Sequence, residues 1–341
     1  MKFSRYAMVA AAASIIGVSA GAVQANSEVN IYSYRQPFLI KPFLDEFTKQ
    51  SGIKVNVVYA KKGMAKRIES EGRNTTADGI LTVDIARLKA HADKGLLQSV
   101  KSDVLEKNVP AHLRDPNNQW FGLTKRVRLI AISKDRVKSG TIATYEDLAD
   151  PKFKGKICTR KGSHVYMRAL VASMIAAHGE AKAEEWAKGV VANLARKPQG
   201  NDRAQVKAVK EGVCDIAVIN NYYYGKMKFN KKKTEQQAWA KSINLVFPNQ
   251  GDRGSHVNIS GAGVTKHAKN RDNMVKLLEF LSQKYAQEMY SSQNYEYPVN
   301  PTVETANEIK SWGSFKEDQL PLSKVAELSP KAQKIIDRVG W

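Results

Sequence analysis

Residues 202–224 read DRAQVKAVKEGVCDIAVINNYYY. Asp202 reads as the cap of a helix over 203–211, because a side-chain oxygen can take an amide left free at a helix start. Gly212 closes that helix, since glycine accepts the left-handed exit. A strand over 214–219 follows directly, apolar along most of its length as a strand covered on both faces must be. Helix, glycine and buried strand in close succession point to an α/β fold, and three tyrosines stand immediately past the strand's carboxyl end.

The alternation continues in both directions. Short apolar strands are expected at 29–33, 53–59, 79–83, 127–132 and 156–159. Helices are expected at 38–51, 64–71, 145–148, 166–178, 182–195, 274–282 and 285–291. This pattern predicts mainly parallel sheets, and two sheets are more economical than one at this length. The 341 residues suit one large domain or two ordinary ones. With 43% hydrophobic and 26% charged residues the chain has the composition of a globular protein with a core. The balance of 54 Lys+Arg against 33 Asp+Glu leaves a net charge of +21, which suits nucleic acid, anionic surfaces or anionic ligands. The basic residues are scattered over many helices without the aromatic interleaving of a nucleic-acid reader, so nucleic acid is not expected as a partner.

The N-terminus, MKFSRYAMVAAAASIIGVSAGAVQANS, has a positive start at Lys2 and Arg5 and an uncharged run rich in Ala, Ser and Gly. Val23-Gln24-Ala25 then makes a small-x-Ala cleavage pattern. This is the layout of a secretory signal peptide over 1–25, cleaved after Ala25. An uncleaved anchor is the weaker alternative, because the run is barely long enough and poorly apolar. Export permits a disulfide. Cys158 ends one strand-like segment and Cys214 begins another, so two parallel neighbours would bring them together; the alternative is two buried thiols. With only two cysteines, a zinc site of CxxC type is excluded.

Tyr222-Tyr223-Tyr224 cannot all face a core, and the carboxyl ends of strands in open α/β sheets are where ligands bind. Tyr166 also follows a strand and opens a helix. Converging phenolates are hard anionic donors suited to Fe³⁺, and three of them balance its charge. A polar pocket in which tyrosines stack on a sugar is the plainer reading. The six histidines show no HxH or HExxH spacing, and GxSxG, GxxxxGK[ST] and GxGxxG are absent. Asp84 in LTVD reads as the end of a strand that organises a turn, with an acidic catalyst as the lesser alternative.

The segments IYSYRQPFL (31–39), LTVD (81–84), WFGLTKRVRLI (120–130), YEDLADPKFKGKIC (145–158), NLARKPQGNDRAQVKAVKEGVCD (193–215), NNYYYGKM (220–227), NISGAGV (258–264) and EYPVNP (296–301) carry a resemblance. Together they resemble the periplasmic ferric-ion-binding proteins of bacterial ABC iron importers, over essentially the whole mature chain. The resemblance implies a type II periplasmic-binding-protein fold with two α/β lobes joined by two hinge strands. Lobe one would comprise 26–125 plus 250–300 and lobe two 126–249 plus 301–341, with hinges near 125–128 and 247–251. It implies iron ligands Tyr166, Tyr222 and Tyr223, with Tyr224 as packing behind them. Where many members have His-Tyr, this chain has Gln36-Pro37. That departure is similar to a subgroup using three lobe-two tyrosines and a synergistic carbonate or bicarbonate held by Arg126, with Gln36 reaching in from lobe one. His164 would either hydrogen-bond the anion or stand as an exposed loop histidine. The resemblance further implies a periplasmic monomer, not an enzyme, that hands Fe³⁺ to an inner-membrane ABC permease and its ATPase. A same-fold protein for another anion, or a secreted hydrolase using Cys158 or a cleft carboxylate, are the competing readings.

Overall fold

The computed structural model describes residues 28–341, so the signal-peptide reading lies outside the described residues. Eight strands form one continuous ladder: β1 (Glu28–Ser33), β2 (Lys54–Tyr59), β3 (Gly79–Thr82), β4 (Phe121–Ser133), β5 (Ile157–Cys158), β6 (Ile216–Asn220), β7 (Ile243–Val246) and β8 (Val257–Val264). Their order is β2-β1-β3-β8-β4-β6-β5, with β7 also paired to β4.

The expectation of mainly parallel sheets is corrected. β1 pairs parallel with β2 and β3, and β5 with β6, but every pairing of β4 and β8 is antiparallel. The reason is β4, which runs thirteen residues. Its first half pairs with β8 from Phe121 to Val127, and its second half pairs with β6 and β7 from Arg128 onward. The expected two sheets are therefore two half-sheets sharing one strand. β4 and β8 press close where β4 begins: a Cβ on Gly261 would lie 2.4 Å from the Phe121 carbonyl oxygen. A Gly- and Ser-rich stretch such as VNISGAGV can thus be a fully buried strand, although glycine is a poor strand former.

Most expected helices form, with ends shifted by a few residues; 145–148 instead forms a 3₁₀ turn at Glu146–Ala149. Asn201, not Asp202, caps the helix Asp202–Lys210, accepting the Ala204 amide at 3.2 Å. Asp202 is fully buried and serves another purpose. β3 ends at Thr82, two residues before Asp84, which organises the turn as expected by capping the helix Ile85–Asp93 through the Ala86 amide. The helix Leu322–Val339 continues through Pro330 and buries Leu322, Val325, Ala326, Ser329, Ala332, Ile335 and Ile336, the three-and-four spacing of an amphipathic face. It packs on the helices Val165–His178 and Ile85–Asp93. Among the described residues no helix is long and apolar enough to cross a membrane.

Cys158 and Cys214 form a disulfide, with Cα atoms 5.9 Å apart. The parallel pairing of β5 with β6 aligns Ile157 with Ile216 and so delivers the two cysteines to one spot. The bond removes Cys158 as a nucleophile.

Candidate metal centre

The strand β6 ends at Asn220, and the chain turns directly into the helix Asn221–Lys228. Asn, three Tyr and Gly give this segment weak helix propensity, so packing decides its conformation. Asn221 donates from its side chain to the Tyr295 carbonyl at 2.7 Å and accepts the Val127 amide at 3.0 Å. Gly225 lies against the Tyr295 ring so closely that a Cβ would sit 2.3 Å from it. Lys226 donates to the Gln293 carbonyl at 2.7 Å. These contacts pin the helix from behind and turn Tyr222 and Tyr223 forward into a cavity of about 440 Å³.

Tyr166 enters the same cavity from the first turn of the helix Val165–His178. The Tyr222 hydroxyl donates to the Tyr166 hydroxyl at 3.1 Å, and the Tyr222 and Tyr223 rings stack at 4.5 Å. All three tyrosines thus stand in the first turns of two helices, where unpaired amides and the helix dipole favour negative charge. Gln36, Arg126 and His164 line the same cavity. Tyr224 does not; it packs edge-on against Trp312 with ring centres 5.2 Å apart.

His164 is not an exposed loop histidine. It is half-buried and caps its helix, its Nδ1 accepting the Tyr166 amide at 3.2 Å. Burial, together with the neighbouring Arg160 charge, lowers its pKa to about 3, so the imidazole is neutral. Burial pushes the Tyr222 phenol well above its ordinary pKa, and the adjacent Tyr166 and Tyr223 oxygens push the same way. Tyr223 is raised to about 12, mainly by burial and then by Asp202. Both phenols are protonated at neutral pH until something replaces the proton.

Cations surround the tyrosines. The Arg126, Arg160 and Arg128 guanidinium carbons lie 5.3, 5.0 and 6.0 Å from the Tyr166 ring centre, and that of Arg203 lies 4.9 Å from the Tyr223 ring. Arg128 and Arg160 share the buried Asp202 at 2.6 and 3.0 Å. Across the cavity Arg35 is paired with Glu296 at 2.5 Å and bonds Ser260, which also accepts from Arg126. The residue reading missed Asp202, Arg128, Arg160, Arg35 and Glu296. One signal was present: Arg128 interrupts the apolar run VRLIAI, and a charge inside a buried strand requires a buried partner. The sequence offered no means of naming that partner.

Among the described residues no three His, Cys, Asp or Glu side chains gather in a group able to hold a metal. The phenols are therefore the hard-oxygen donors that converge here, and they fit a hard trivalent cation once deprotonated.

Residues 74–317 match the bacterial extracellular solute-binding protein family. The chain belongs to that family. It is 44% identical over 315 residues to iron uptake protein A1 of Synechocystis, spanning 92% of this chain and 87% of that one. It superposes on the apo ferric-ion-binding protein A of Pasteurella haemolytica with a TM-score of 0.88, at 48% identity over 92% and 98% of the two chains. A Trichodesmium protein solved with iron and citrate ligands superposes with a TM-score of 0.87, at 45% identity over 92% and 99%. The fold of this solute-binding protein is thus the two-lobed type II architecture, and its relatives are binding and uptake proteins, not enzymes.

Proposed function

We propose that this solute-binding protein captures Fe³⁺ in the periplasm and delivers it to an inner-membrane ABC permease driven by its ATPase. The supporting observation is the 3.1 Å contact between the Tyr166 and Tyr222 hydroxyls, with Tyr223 stacked alongside, at two helix starts. Tyr166, Tyr222 and Tyr223 are the proposed ligands. Their phenolates neutralise the ion, and a synergistic carbonate held by Arg126 and Gln36 completes the coordination. A guanidinium can grip carbonate with two parallel hydrogen bonds, which suits Arg126 to that role. His164, neutral and beside Tyr166, is available to hydrogen-bond the anion. The lobes proposed are 26–125 plus 250–300 and 126–249 plus 301–341. Their closure would flex β4 near Arg128 and the connection between β7 and β8, and the working unit would be a monomer.

Titrating the mature protein with ferric ion, with and without bicarbonate, tests this. A visible tyrosine-to-iron absorption band that strengthens with bicarbonate is the expected result. The cationic wall also favours a second reading, capture of an organic anion without iron. Anion binding with no visible band under any iron supply would favour that reading.

A further inference from the structure

Beside Tyr166 lies a second, small space lined by Arg126, Arg128, Tyr166, Asn220, His256 and Asn258, which shares Arg126 and Tyr166 with the main cavity. It has room for about one water-sized particle. Three of its walls are hydrogen-bond donors without a partner: Arg126 Nε, Arg128 Nε and Asn220 Nδ2. Those residues are only 2, 2 and 3% exposed. The orientation of the Asn220 amide is set by its oxygen, which accepts from Arg128 at 2.9 Å. Apart from the neutral His256 ring, the acceptors around the space are already taken. Asn258 Oδ1 receives the Ile85 and Ile259 amides, and the Tyr166 hydroxyl receives Tyr222. The charge balance points the same way. Arg128 and Arg160 share a single carboxylate, Asp202, and Arg126 makes no direct ion pair among the described residues; with the buried Asp84, which feels the Arg126 charge and bonds Asn258, three guanidiniums face two carboxylates. Burying donors without a partner is costly, and more so when they carry charge.

We infer that this space is a binding site for one monatomic anion of the halide class, chloride under ordinary conditions. Three unpartnered donors remain, two of them on guanidinium groups; an anion can accept from all three, whereas a water accepts two hydrogen bonds and leaves one buried donor unmet. Carbonate, with four heavy atoms, does not fit, which separates this site from the synergistic anion proposed for the main cavity. The site joins both passages of the chain between the half-sheets. Arg126 and Asn258 are register partners on β4 and β8, the Arg128 amide bonds the His256 carbonyl, and Arg128 faces Asn220 at the foot of the tyrosine helix. A bound anion therefore braces the junction and Tyr166.

The experiment uses iron-free mature protein in bicarbonate-free buffer, so its outcome does not depend on the iron reading. Thermal unfolding is compared in sodium chloride, bromide and gluconate at matched ionic strength. Chloride and bromide are expected to raise Tm by about 2 °C or more over gluconate as halide rises into the tens of millimolar. A crystal soaked in bromide is expected to show an anomalous peak within hydrogen-bond distance of Arg126 Nε and Arg128 Nε. Asn220→Asp keeps the oxygen that Arg128 uses but turns a carboxylate oxygen into the space, and is expected to abolish the halide effect. Should that variant fail to fold, the bromide peak in the wild-type protein decides. Equal Tm in all three salts, or a water and no bromide at the position, overturns the proposal.

Discussion

The Tyr222 hydroxyl donates to the Tyr166 hydroxyl at 3.1 Å although the two residues are 56 positions apart. Two helices from different parts of the chain aim their first turns at one point, and each brings tyrosine where its dipole favours an anion. This contact supplies the first prediction. Tyr166→Phe, Tyr222→Phe and Tyr223→Phe keep the rings and delete one oxygen each. Each is expected to bleach or shift the iron band and to weaken affinity beyond the ~10–100-fold typical of losing an outer partner. Tyr224→Phe, on the Trp312 side, is expected to change little. Absorbance titration checks this, and a Tyr222→Phe, Tyr223→Phe double variant that binds iron normally would sink the iron reading.

The raised phenol pKa values give a pH dependence in two directions. Iron must displace phenolic protons, so affinity falls about tenfold per pH unit for each proton released, and iron leaves on acidification. Competition against a chelator from pH 8 to 6 measures the slope. For the iron-free protein the sign reverses. The folded state holds Tyr223 neutral up to about 12, while an unfolded tyrosine ionises near 10. That stability is complete below about pH 10 and is lost as pH rises toward 12, which alkaline denaturation will show.

Arg126→Ala is expected to remove most of the bicarbonate dependence of iron binding while leaving the phenolate band detectable. Gln36→Ala, at the exposed start of the helix Pro37–Ser51, is expected to have a smaller effect in the same direction. Paired titrations with and without bicarbonate distinguish them; undiminished bicarbonate dependence in the Arg126 variant would remove it from the anion's coordination.

Asp202→Asn tests the buried charge cluster. Burial by itself would raise the Asp202 pKa, but Arg128 and Arg160 outweigh it and hold the carboxyl below its ordinary value. Removing the charge leaves two guanidiniums uncompensated, at a cost of about 3–5 kcal/mol. The carboxylate also accepts the Asn220 amide at 2.8 Å, just before the tyrosine helix. Denaturant unfolding should therefore show the loss, and iron affinity should fall with it.

The Cys158–Cys214 bond closes a loop across 56 positions, worth about 4 kcal/mol in the chain-entropy account. Denatured, unreduced protein is expected to show no free thiol. Reduction, or a Cys158→Ser, Cys214→Ser double variant, is expected to lower Tm by several degrees.

Local pattern determined much of this protein. Periodicity in segments such as EGVCDIAVI places a buried strand, and tyrosines after its end mark a ligand cleft, because both follow from neighbours along the chain. The disulfide was legible as one of two outcomes, and the tertiary structure decided it by setting β5 beside β6. Other features were beyond any local reading. The helix Asn221–Lys228 is held by Tyr295 and Lys226 contacts against its own weak propensity. β8 looks like a loop until β4 lies against its glycines. Asp202 fits the expected helix cap in sequence, yet Arg128 and Arg160 claim it for a buried cluster. The cause is common to all three: backbone propensity and capping act between near neighbours, whereas burial, close packing and charge pairing depend on which distant residues the fold brings within a few ångströms.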